Sequence, residues 1–271
     1  MVKKETGIIG LLLFSTIIFI GLAHLYNNIN TQHVANAHNF VPNTLSIFLT
    51  LVHRAQVELD LAKNNFPSNV TLALHHGENA AKLIEDAYYY DDEIVDDTDF
   101  VKRYNEAKNS HNATVHALVI ANIADQILRE YGEAFDIGYD LTNMSNMVMP
   151  TKSNSDLRSS STSMDMDMGM PMHSNMAEGS DNSTKIVNMD NYQSAQQLSQ
   201  RLYQIFENQP NSSPTSSNNT NSDTAVTMVE KSLFYLKQMI NKKGLAQDLM
   251  MLVHGQLHPN LQLAYDLKLK Q

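Results

Sequence analysis

Read from Pro42 onward, apolar residues recur at helical spacing. Leu45, Phe48, Leu49, Val52, Ala55, Leu59 and Ala62 follow Asn43 or Thr44 as cap and predict a helix over residues 42–64. Phe66-Pro67-Ser68-Asn69 predicts a turn, and a second helix follows over about 70–90, carrying Leu72, Leu74, Ala80, Ala81, Leu83, Ile84 and Ala87. A third pattern runs from about Phe100 to Phe135 with a break near Ser110. Its second half, VHALVIANIADQILREYGEAF, is the most apolar stretch after the N-terminus and is expected at the centre of the core. Beyond the linker described below, Tyr192, Ala195, Leu198, Leu202, Ile205 and Phe206 mark a helix over 190–208. Another is expected over about 224–243, stopped by Gly244 with Lys242 and Lys243 in its last turn. Leu245 to Leu257 gives one more, and Pro259 is expected to start a short terminal helix, HPNLQLAYDLKLK.

Two stretches lose the period. Residues 140–188 hold most of the chain's 15 methionines among Ser, Asn, Asp and Pro, with almost no aromatic or β-branched residue to bury. Such a segment cannot offset the entropy of ordering and is expected to be a disordered linker. Residues 210–223, PNSSPTSSNNTNSD, read as a flexible insert. At the other end, Lys3 and Lys4 precede an apolar run over residues 8–26, about the length that crosses a bilayer as a helix. The basic start places residues 1–7 in the cytoplasm and the remainder outside. The run is longer than an ordinary signal core and predicts a retained signal anchor. Ala35-Asn36-Ala37 is a cleavage pattern that would instead release a secreted form beginning at His38.

The predicted fold is therefore all-α: an N-terminal transmembrane or signal helix followed by an extracytoplasmic helical bundle. Three helices fall in an N-terminal lobe, 38–139, and three or four in a C-terminal lobe, 189–271, on either side of the Met-rich linker. The two lobes form either separate αα units or one composite bundle. The protein is expected at the cell membrane as a single-pass chain with its C-terminal portion outside.

Composition narrows the chemistry. A formal net charge of -10 excludes a nucleic-acid partner, since no basic stripe is present to offset phosphates. The chain has no cysteine, which removes disulfides and thiolate ligands and leaves soft-metal binding to Met and His. No HExxH, GxSxG or glycine-rich phosphate loop occurs, so no catalytic role is predicted. The six acidic residues between Asp91 and Asp99 lack the pattern of a calcium loop and read as a solvated connection. Export would expose Asn69, Asn143, Asn182, Asn211 and Asn218 as glycosylation acceptors, while Asn112 lies in a helical pattern where burial would exclude a glycan.

The candidate metal ligands are Met164, Met166, Met168, Met170, Met172 and His173, in the run SMDMDMGMPMH. Neutral thioethers suit Cu(I), several on one flexible strand can close around an ion, and Asp165 and Asp167 attract cations. The competing reading is a tether in which methionine is tolerated. His38 would chelate Cu(II) only as a mature N-terminus. His75 and Glu78 share a helix face, His75 and His76 diverge, and so do His111 and His116. His254 and His258 have ligand spacing, but Pro259 is expected to push His258 out of the helical region, leaving His254 as an interior histidine.

AHNFVPN at residues 37–43, LVHRAQVELDLAKNNFPSNVTLALHHGENAAKLI and the ending LVHGQLHPNLQLAYDLKLK resemble exported, uncharacterised helical proteins of ammonia-oxidising archaea. The likeness covers about residues 37–135 and 224–270, and the Met-rich linker falls outside it. It implies an outward-facing location in organisms whose ammonia oxidation depends on copper. It carries no catalytic residue to this chain. A membrane or surface protein is a separate candidate partner. Two functions follow: an extracytoplasmic copper-binding or copper-buffering protein, or a helical scaffold whose linkers set reach between lobes.

Overall fold

The structure is a computed structural model that describes residues 40–90, 94, 96–110, 112–146, 185–208 and 220–270. The apolar run 8–26, His38, the methionines from Met164 to Met172 with His173, and Asn182, Asn211 and Asn218 lie outside the described residues. Secondary structure among the described residues is helical, apart from one isolated antiparallel bridge between Phe40 and Leu269. No helix among them is long and apolar enough to cross a membrane.

Helix α1 spans Thr44–Asn65 and is capped by Asn43, whose Oδ1 accepts the Ser46 N–H at 3.1 Å. The turn at Phe66 reverses the chain into α2, Val70–Tyr90, which packs along α1 as a hairpin. The long third pattern is two helices rather than one: α3, Asp97–Lys108, and α4, Ala113–Ala134. Capping explains the division. Asp96 accepts the N–H groups of Thr98 and Asp99 to open α3, and Asn112 accepts those of Thr114 and Val115 to open α4. Asn112 is thus an exposed cap, not a buried helical residue. Four α-helices, instead of three, precede the linker among the described residues.

Helix α5 is Met189–Glu207, α6 is Thr220–Asn241, α7 is Ala246–Leu252 and α8 is His258–Tyr265; a π-helical turn, Val253–Leu257, joins the last two. α6 ends in a tight turn with Lys243 at φ 54°. The Gly244 N–H reaches the Met239 carbonyl at 2.8 Å, and a Cβ at Gly244 would lie 3.3 Å from that oxygen.

α4 is buried on every side, with Ile120, Ile123 and Ile127 all fully enclosed. It touches α1, α5, α7, the π-turn and α8, while α5 lies against α1, α4 and α6. Helices from both sides of the linker therefore share one core, a composite bundle. Truncating any of those isoleucines to Ala would cost about 2–5 kcal/mol. Both ends of the 140–188 segment belong to the fold as well. Leu141 is buried, and the Val187 and Asn188 N–H groups donate to the Ala134 carbonyl at 2.9 and 3.2 Å.

Candidate metal centre

Asp125 sits in the middle of α4 and is completely buried. Burying a carboxylate in an apolar helix costs several kcal/mol unless a positive group or a metal meets it. Two histidines do. His254 lies in the π-turn and His258 opens α8; each is 3% exposed.

Pro259 is responsible for the turn. It offers no N–H, and its ring would collide with the carbonyl four residues back, at Gly255. Widening the helix relieves the collision, so the His258 N–H bonds to the Val253 carbonyl, five residues back. The expectation that Pro259 displaces His258 is therefore wrong: His258 keeps helical angles, φ -62° and ψ -46°. The two imidazoles end up together, edge to face with centroids 5.2 Å apart.

One ligand atom from each of Asp125, His254 and His258 lies within 4.8 Å of the other two. His258 Nε2 is 3.4 Å from Asp125 Oδ1. His254 Nε2 is 3.1 Å from the Leu141 carbonyl, which can only accept, so that nitrogen carries the hydrogen and Nδ1 of the neutral ring keeps its lone pair. Holding the second ring nitrogen on a backbone carbonyl is how ligating histidines are usually oriented. Bonds of about 2.0–2.2 Å require ligand atoms about 3.4 Å apart, so these side chains would have to draw closer to hold an ion. The set is two neutral imidazoles and one carboxylate, suited to borderline dications such as Zn²⁺, Cu²⁺ or Fe²⁺, and it contains no sulfur to favour Cu(I). Phe40 closes one side, its ring edge-on to His258 at 5.6 Å. Beyond Leu141, a surface pocket of about 400 Å³ is lined by residues that include Arg129, Glu133, Asp136, Tyr139 and Asp140.

A second polar cluster joins α1, α2 and α5. His76 is fully enclosed, with Nδ1 2.7 Å from Glu58 Oε2 and Nε2 3.1 Å from Gln193 Oε1. Both nitrogens face acceptors, an arrangement that favours the protonated ring. Burial would lower its pKa, but the Glu58 carboxylate, Gln193 and Asp190 outweigh that and raise it. Ser194 donates to the other Glu58 oxygen at 2.6 Å, and Asn65 donates to Gln193 Oε1 at 2.8 Å. Glu130 lies on α4 and is raised from 4.5 to about 7, first by burial and against the pull of Arg54.

The remaining sequence candidates are dispersed. His75 is exposed and lies 3.8 Å from Asp190, and Glu78 is exposed. His116 Nε2 donates to the Ser110 carbonyl at 2.9 Å. His53 is lowered to about 4, mainly by burial and next by Arg201. Asn69 and Asn143 are exposed. Asp125 was not among the candidates, although an acid inside IANIADQIL is the signal that marks it. Comparison of the chain with protein-family models, with curated proteins and with solved structures returns no match.

Proposed function

We propose that this chain is an exported metal-binding protein, held at the membrane by residues 8–26, whose bundle takes one borderline dication at Asp125, His254 and His258. The observation that carries the reading is the meeting of these three buried ligands, with His254 oriented by the Leu141 carbonyl. The alternating methionines with His173 form a second, chemically distinct set for Cu(I). Together they make a protein that binds or buffers copper outside the cell, consistent with the copper-dependent setting that the resemblance implies. The net charge of -10 suits cation capture and no nucleic acid.

Metal analysis of the full chain tests this. One Zn²⁺ or Cu²⁺ per chain is expected, lost in the His254→Ala/His258→Ala variant. Cu(I) competition is expected to weaken only when Met164, Met166, Met168, Met170 and Met172 are replaced by Leu. Absence of dication binding in the wild type would refute the buried site, and unchanged Cu(I) affinity in the Leu variant would leave the methionine run a linker.

One observation favours the scaffold reading instead. Phe66, Val70 and Leu74, spaced by four along the α1–α2 turn, are each more than half exposed. Such a row suits a membrane or surface protein partner. Replacing all three with Ser should abolish association with that partner without changing metal content.

A further inference from the structure

We infer that the ion reaches the buried centre only when a strap formed by residues 40–41 and 267–269 lifts away from His258. This rests on the metal-binding reading above and names how that site is regulated.

Asp125, His254 and His258 are almost wholly enclosed, so part of the fold must move before an ion can pass. Phe40 is 2% exposed and presents its ring edge to His258, the same imidazole that contacts Asp125. Apart from the packing of its buried ring, few backbone bonds hold Phe40 among the described residues. It forms a single antiparallel bridge with Leu269, and the Val41 N–H donates to the Lys268 carbonyl at 2.8 Å. On the C-terminal side, Asp266 adopts the left-handed conformation at φ 50°, which turns the chain out of α8 into the strap, whose first residue, Leu267, is buried. A segment tied by so few contacts opens locally at far lower cost than a helix buried on all sides.

The side at His254 is tied more firmly. There His254 is bonded to the Leu141 carbonyl, and Leu141 precedes a turn in which Thr142 donates to Asp140 from both its N–H, at 2.9 Å, and its hydroxyl, at 2.7 Å. Gln247 adds a bond to the Asn146 carbonyl at 3.3 Å. Passage through the acidic pocket beside Leu141 would have to break this set, whereas passage at Phe40 breaks the bridge and lifts one buried ring. Occupancy also feeds back on the strap. An ion that fixes His258 fixes the surface on which Phe40 packs, so the loaded protein holds its strap closed.

The test uses the full chain loaded with Co²⁺, whose d–d absorption reports occupancy, and follows transfer of the ion to excess EDTA. Phe40→Ala removes the ring and Val41→Pro removes the donor to Lys268; neither replaces a ligand. Both variants are expected to keep the wild-type Co²⁺ stoichiometry and to release the ion at least about ten-fold faster. In the wild type, the Val41 amide is expected to exchange with solvent more slowly after loading. If Phe40→Ala fails to fold, Val41→Pro and the amide measurement decide alone. Release rates unchanged in Val41→Pro would overturn the strap, as would acceleration confined to Asp136→Asn in the pocket beside Leu141. A wild-type chain that takes up no Co²⁺ would overturn the metal reading itself. The two failures are thus distinguishable.

Discussion

His76 meets Glu58 at 2.7 Å between α1 and α2, and His258 meets Asp125 at 3.4 Å where the end of the π-turn reaches α4. Both are buried histidine–carboxylate pairs in one core, yet they are built to different ends. At the first, Ser194 occupies the remaining Glu58 oxygen and Gln193 the remaining His76 nitrogen, so charge and hydrogen bonds close on themselves. At the second, the contact is longer than an ordinary hydrogen bond, and a second imidazole shares the space within ligand distance. A closed pair ties helices together. Two imidazoles gathered at one buried carboxylate make a set of metal-ligand type.

Removing His76 should have the largest effect on the fold. His76→Ala leaves the buried Glu58 without its histidine partner, and is expected to cost about 3–5 kcal/mol in urea unfolding. A loss below about 1 kcal/mol would mean that the pair is not a structural tie. At the other centre the effect should come from the ion. Zn²⁺ at a thousand times its dissociation constant is expected to stabilise the chain by about 4 kcal/mol. Asp125→Asn should abolish that gain while moving the metal-free stability by only about 1 kcal/mol, and calorimetry with and without Zn²⁺ measures both. If Asp125→Asn destabilised the metal-free protein as much as His76→Ala does, the contrast between the two pairs would collapse.

A smaller effect concerns pH. Glu130 titrates near 4.5 in the unfolded chain and at about 7 in the folded one, so the native state holds the extra proton between those values. Its contribution to stability is full below pH 4.5 and is lost as pH rises through 7. His76 acts in the same direction, present below 6.5 and lost as pH passes its raised folded value. His53, lowered to about 4, acts oppositely: the unfolded chain takes up its proton first as pH falls from 6.5 to 4, and stability is lost on that side. Glu130→Gln should flatten the decline between pH 4.5 and 7 in urea titrations, and a slope equal to the wild type would contradict this assignment. The smallest change is Gly255→Ala. A Cβ there meets nothing within 4 Å, so a gain of about 0.5–1 kcal/mol is expected with Zn²⁺ affinity unchanged.

The helices were legible because periodicity reports burial directly. α4, buried all round, is the stretch that the pattern places at the core. The break expected near Ser110 becomes a full division into two helices because Asn112 caps α4 there. The candidate centre was half legible. His254 and His258 have ligand spacing, but the rule that residues before proline avoid the helical region spoke against them. A local rule of that kind cannot foresee that a π-turn will absorb the proline. Asp125 is remote from them in the chain, and only tertiary packing brings it there. The sharing of one core across the linker was hidden for the same reason, since α5 reads as an ordinary amphipathic helix whichever partner covers it.

The measurement that bears most directly on the metal centre is a Co²⁺ titration of the full chain, followed by d–d absorption and metal analysis, with Asp125→Asn and His258→Ala beside it. Co²⁺ reports on nitrogen and oxygen donors and is poorly served by thioethers, so the methionine run contributes little. One equivalent bound, with an absorption that shows a low-coordinate site and vanishes in both variants, is the predicted result. No uptake, or uptake unchanged by both substitutions, would contradict a metal centre at Asp125, His254 and His258.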